Sequence, residues 1–126
     1  MSEAATSDEA GSAAVGAAAA ERALVRMREM SADLRGCAIL DSGGTVLAAT
    51  GDPERWGEAA SAFFVAADAA RDERVARSHV ATEDGEAFAL REGPLAMVAV
   101  ADRFTLASLM LFDMRAVLRD LAAGES

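Results

Sequence analysis

The sequence predicts an α/β domain of the α+β sandwich kind, with elements in the order helix, hairpin, helix, three strands, helix. Three segments carry this reading. Residues 36–52 hold two short apolar runs, 37–40 and 46–49, on either side of Ser42-Gly43-Gly44, residues that tolerate the positive φ of a tight turn. After Asp52-Pro53, the residues Trp56, Ala60, Phe63, Ala67 and Ala70 recur at helical spacing as one apolar stripe. Residues 95–101 contain no polar side chain, which suits a central strand covered on both faces.

Residues 1–16 are small and acidic, with Val15 as their one apolar anchor, the composition of a disordered tail. From Ala17 onward, Leu24, Met27, Met30 and Leu34 fall near one helical face, with Arg22, Arg26 and Glu29 opposite; Gly36 is expected to end this helix. In the next helix Asp52 is an N-cap and Pro53 takes the first position, where a missing N–H costs nothing. Its apolar stripe must lie on the sheet. On its opposite face Glu58, Ser61, Asp68 and Asp72 surround Val65, with Ala62 and Ala69 to one side. That face is either plain solvated surface with stray alanines or one that a second helix approaches closely.

After Arg74 come strand-sized runs over 77–82, 86–91 and 95–101, separated by Glu83-Asp84-Gly85 and Glu92-Gly93-Pro94, both good turn sequences. The segment 104–121 fits two patterns. Alternation over 104–111 permits a sixth strand capped by Asp113, whereas a helical wheel gathers Leu106, Ala107, Met110, Leu111, Met114, Val117, Leu118 and Leu121 into one sector. The helix is preferred, starting near Asp102 or Arg103 and leaving Leu109 and Phe112 off the core sector as contact residues.

Composition limits the function. The 126 residues suit one domain, 17–123, with short tails at 1–16 and 124–126. A hydrophobic fraction of 52% indicates a globular chain, and its 32 alanines suit thin helix-packing surfaces more than a bulky core. All twelve basic residues are arginine, and Lys, Asn, Gln and Tyr are absent, the usage of a GC-rich bacterial genome. A net charge of −9 argues against nucleic acid or an anionic membrane as partner, since both need a basic footprint. The single Cys37 excludes an intramolecular disulfide framework. No apolar run approaches the ~20 residues of a membrane span, and the acidic start is unlike a signal peptide, so a cytoplasmic location is expected.

The search for chemistry finds none that holds together. Without lysine there is no phosphate-binding loop of the Gly-Lys-Ser/Thr kind, and Gly43-Gly44 leads into a strand rather than opening a helix. His79 is the one histidine; the nearest carboxylate on its own strand face is Glu83, about 13 Å away at ~3.3 Å per residue. It reads as a polar residue on an edge strand. Cys37 sits in an apolar run with only Arg35 as a basic neighbour, which fits a buried small hydrophobe better than an activated thiolate. Asp41 and Asp52 read as turn former and helix cap. No catalytic residue, metal ligand or cofactor site is assigned.

The hairpin Gly-Cys-Ala-Ile-Leu-Asp-Ser-Gly-Gly-Thr-Val-Leu-Ala-Ala over 36–49, the helix after Pro53, the His79 strand and the final strand-strand-helix order resemble the bacterial roadblock/dynein light chain family over about 17–123. The hairpin carries most of this likeness, as a pattern of residue types. The resemblance implies a five-stranded antiparallel sheet in the order 2-1-5-4-3, with the first and third helices on one face and the second on the other. It also implies homodimers that pair third strands and pack second helices, and many members that regulate Ras-like small GTPases.

The expected function is therefore a non-enzymatic regulatory or scaffold module, a homodimer that binds a Ras-like small GTPase without cofactor, nucleic acid or membrane. Its contact residues are expected to be Arg55, Glu58, Ala62, Val65, Asp68 and Ala69 on the second helix, with Arg77, His79 and Ala81 on the third strand. Two alternatives stand beside it. A small-molecule sensor of the profilin, PAS or GAF type needs polar groups converging in a pocket, of which the expected core offers almost none. A structural dimer within a larger assembly needs only the contact face.

Overall fold

Three helices and five strands form over residues 15–124, the part of the chain that the computed structural model describes. The expected tail lies outside these residues up to position 14, and Val15 packs against the core. The elements are α1 (Ala17–Met30), β1 (Leu34–Asp41), β2 (Val46–Ala49), α2 (Pro53–Arg71), β3 (Arg77–Ala81), β4 (Glu86–Glu92), β5 (Leu95–Ala101) and α3 (Ala107–Ala122). The strands form one antiparallel sheet in the order β2-β1-β5-β4-β3, as the resemblance implied.

The apolar strand β5 lies in the middle, between β1 and β4. Its side chains alternate between two cores. Leu95, Met97, Ala99 and Ala101 join Cys37, Ile39, Phe88 and Leu90 beneath α1 and α3. Ala96 and Val98 join Ala38, Leu40 and Ala89 beneath α2. In α3 the buried residues are Met110, Asp113, Met114, Val117, Leu118 and Leu121, close to the expected sector; Asp113 accepts a hydrogen bond from Ser31 Oγ at 3.0 Å.

Four local expectations are corrected. The helix α1 stops at Met30 rather than at Gly36, which sits inside β1, and Met30 is exposed. Gly36 is there for close approach: a Cβ would come 2.9 Å from Thr50 Oγ1 and 3.2 Å from the Trp56 ring. In α2 the deepest ring is Phe64, not Phe63, and Ala70 is exposed; Trp56, Ala60 and Phe64 follow one i, i+4, i+8 row, the ridge that meets the sheet. Only Gly44 of the hairpin trio takes a positive φ, 89°. Finally, α3 starts at Ala107 and Leu106 is exposed, because Phe104 adopts the left-handed φ of 66° and no helix runs through it. Residues 104–111 thus contain no strand.

Candidate interaction face

Helix α2 is fixed at both ends. Asp52 caps it by accepting the Glu54 N–H at 3.0 Å, and Asp72 closes it in the left-handed conformation with φ 53°. Arg55, Glu58, Ala62, Val65 and Ala69 follow one another at three- and four-residue steps on its outer side, and all are exposed. Val65 is 66% exposed, an apolar side chain with small alanines one turn away on either side.

Asp68 is a partial exception among the expected contact residues. It is half-buried and held by Arg91, which donates to Oδ1 at 2.9 Å and to Oδ2 at 3.1 Å, while the Val75 N–H donates to Oδ1 at 2.9 Å. The hydrogen bond from Arg91, followed by that from Val75, holds its carboxyl below the usual aspartate range.

Among the described residues strand β3 is the sheet's edge and pairs only with β4. His79 stacks on Phe88 with ring centroids 4.5 Å apart and planes 5° apart, and its Nε2 lies 2.6 Å from Glu86 Oε1. The carboxylate partner is therefore on the neighbouring strand rather than at Glu83. Spacing along one strand does not show it, because Glu86 is the diagonal neighbour of His79 on the paired strand, where such residues lie only ~7–8 Å apart. Phe88 belongs to the core beneath α1 and α3, so Arg77, His79 and Ala81 face that side of the sheet. Ser78 and Val80 face the α2 side.

The expected contact residues consequently fall on two surfaces, the α2 stripe and the face of β3 turned away from α2. Val80, 47% exposed, is the residue the sequence reading missed. Its signal was present: it is out of phase with His79 by one residue in a period of two.

A cleft of about 200 Å³ lies between α2, the hairpin tip and the β4–β5 turn, lined among others by Asp41, Phe64, Asp68 and Arg91. Two of its carboxylates already serve the fold. Asp41 Oδ1 accepts the N–H groups of Gly43 and Thr45, both at 2.9 Å, and Asp68 is held by Arg91. Cys37 is buried, and burial pushes its thiol up to about 12. Among the described residues no group of three His, Cys, Asp or Glu side chains is placed to hold a metal ion, and no helix is long and apolar enough to cross a membrane.

No family model matches the sequence, and no curated protein matches it. Solved structures do match the fold. A roadblock/LC7 domain from Streptomyces avermitilis superposes with a TM-score of 0.69 at 14% identity, over 82% of this chain and 95% of that one. The gliding protein mglB from Thermus thermophilus gives 0.66 at 17% identity, over 83% and 87%. A Schizosaccharomyces pombe profilin gives 0.60 at 11% identity, over 85% and 99%. At these identities the shared property is the fold, and the chain has the roadblock fold.

Proposed function

We propose that the chain is a non-enzymatic regulatory or scaffold module that works as a homodimer and binds a Ras-like small GTPase. The observation that carries this is the exposed Val65, set between Ala62 and Ala69 on α2, in a roadblock fold whose β3 edge is unpaired. Small residues on α2 allow close approach of a second helix, and an open edge strand invites pairing. Both features suit a dimer built on β3 and α2.

A chain without lysine or a phosphate loop meets GTP through a partner. Arg55 and Glu58 on the stripe supply the polar contacts for that partner, repeated by the two-fold axis. No arginine is singled out to stabilise transition-state charge in trans, so the role is to position the partner's own residues. The cytoplasm is the matching compartment.

The test is affinity capture from host lysate with GTP or with GDP, followed by mass spectrometry. Recovery of a small GTPase in one nucleotide state supports the proposal. Recovery under neither condition, or tight nucleotide binding by the purified chain alone, refutes it.

A further inference from the structure

The backbone of β3 divides into groups that β4 holds and groups that face outward. The Thr82 N–H donates to the Gly85 carbonyl at 2.8 Å, and the Arg91 N–H donates to the Ala76 carbonyl at 2.7 Å. Both pairs continue the register of β3 with β4, in which Arg77 faces Leu90 and Ala81 faces Glu86. Hydrogen-bonded and non-hydrogen-bonded pairs alternate along an antiparallel ladder. Ala76, Ser78, Val80 and Thr82 therefore direct their N–H and C=O groups at β4, while Arg77, His79 and Ala81 turn theirs to the open edge. The 4.5 Å stack of His79 on Phe88 agrees, because side chains come closest at pairs without hydrogen bonds.

Two charged side chains on the α3 side of this edge are incompletely matched. Glu86 is buried; His79 Nε2 meets its Oε1 at 2.6 Å, and among the described residues no donor reaches Oε2. A carboxylate has room for several donors. Arg77 makes no ion pair among the described residues. Within one chain the two cannot meet, since Arg77 lies four residues along β3 from Ala81, the residue opposite Glu86, or about 13 Å.

We propose that the β3 edges of two copies pair antiparallel with His79 opposite His79, and that Arg77 of each copy bonds the Glu86 carboxylate of the other. This rests on the β3 contact proposed above and gives that contact its register and its charged partners. Outward residues pair only with outward residues. A two-fold axis at His79 sets Arg77 opposite Ala81 at both ends, so every outward N–H and C=O of the strand finds a partner. Sliding one copy by two residues in either direction leaves an end residue of each strand unpaired.

The same axis brings the two charges together. From Arg77 the row runs to Ala81 of the other copy at ~5.5 Å and on to Glu86 beyond it at ~4.5 Å, about 10 Å in all. Ala81 offers only a methyl group, so an arginine and a glutamate side chain meet above it. On the α2 side the register sets Ser78 opposite Val80, which covers a valine that is 47% exposed in the single chain. A slid register would instead set Ser78 opposite Ser78 or Val80 opposite Val80.

That difference supplies the test, made on the full chain. Opposite residues at a non-hydrogen-bonded pair lie ~4.5 Å apart, within reach of a disulfide. Ser78→Cys and Val80→Cys chains, mixed under reducing conditions and then oxidised, are expected to form a covalent heterodimer that neither variant forms with itself. Cross-linking of either variant with itself in place of the mixture overturns the proposal, as does no cross-link at all in a protein that sediments at twice 13.0 kDa. The charged contact is read from the dimer dissociation constant by sedimentation equilibrium. Arg77→Ala is expected to raise it at least about tenfold in the wild type and less than about twofold in Glu86→Gln, which keeps an acceptor for His79 but removes the charge. Equal effects in the two backgrounds overturn the contact. A wild type that sediments as single chains refutes the homodimer itself, whereas a slid register leaves the homodimer standing.

Discussion

Arg91 and Asp68 form a two-pronged ion pair, Nη1 to Oδ1 at 2.9 Å and Nη2 to Oδ2 at 3.1 Å, that ties strand β4 to helix α2. The same guanidinium lies 4.2 Å above the Phe64 ring and donates to the Val75 carbonyl at 2.8 Å. One arginine thus sets how α2 rests on the sheet and how the chain leaves it for β3. The distance between the α2 stripe and the strand edge follows from this brace.

The brace predicts a pH dependence. Arg91, then the Val75 amide, lowers the Asp68 carboxyl in the folded protein. A group lowered on folding contributes stability above its unfolded value and loses it as pH falls through the folded one. Asp68→Asn is therefore expected to melt a few degrees below wild type at pH 7, with the gap closing below about pH 4. Melting curves between pH 7 and 3 check this; a gap of constant size would leave the ion pair without the assigned role.

Much of the fold was legible because its signals are local. The cap Asp52, the unbroken apolar run 95–101 and the turns at Gly85 and Gly93 each act within a few residues, and four strands were found within a residue of their place, while β1 begins at Leu34, three residues before the expected run 37–40. What was illegible depends on neighbours distant in sequence. Gly36 looked like a helix stop because Thr50 and Trp56, which need the space, are 14 and 20 residues on. His79 looked isolated because Glu86 reaches it across a strand pair, and Asp68 looked free because Arg91 comes from β4. The exposed side of α3 was half visible: Leu109 and Phe112 were placed outside the core, while the left-handed Phe104 that also exposes Leu106 left no mark in the periodicity.

Two glycines should rank in a definite order when changed to alanine. At Gly36 the new methyl meets a threonine oxygen at 2.9 Å and an indole edge at 3.2 Å, side chains that shift slightly. At Gly85 it meets the Ala101 carbonyl oxygen at 2.5 Å, which belongs to the paired backbone of β5. Gly36→Ala is expected to cost about 1–3 kcal/mol, and Gly85→Ala more, since a strand must move. Urea unfolding of both variants measures the difference, and equal costs would contradict it.

Cys37 should be inert while the protein is folded. With its thiol pushed up to about 12, the thiolate is scarce at neutral pH, roughly 3,000-fold scarcer than in an unfolded chain near the ordinary value of ~8.5. An aromatic disulfide reagent is expected to react at least about 100-fold more slowly with the native protein than in denaturant. Rapid labelling of the native state would show that β1 opens readily.

The His79 and Glu86 pair makes the sharpest separation between a structural and a functional role. Glu86 is 7% exposed, and His79 is the side chain that meets its carboxylate among the described residues. His79→Ala therefore leaves a buried acceptor without that partner, at an expected cost of about 1–3 kcal/mol, and also removes the ring stacked on Phe88. Replacing both partners, as His79→Leu with Glu86→Leu, removes the stranded group and is expected to recover part of that loss. Capture of the proposed GTPase partner at a temperature where the single variant stays folded is expected to be unchanged, because His79 faces away from the α2 stripe. Chemical unfolding and capture on the same preparations decide the matter. Lost capture with stability intact would move His79 from the frame of β3 into the partner's contact surface.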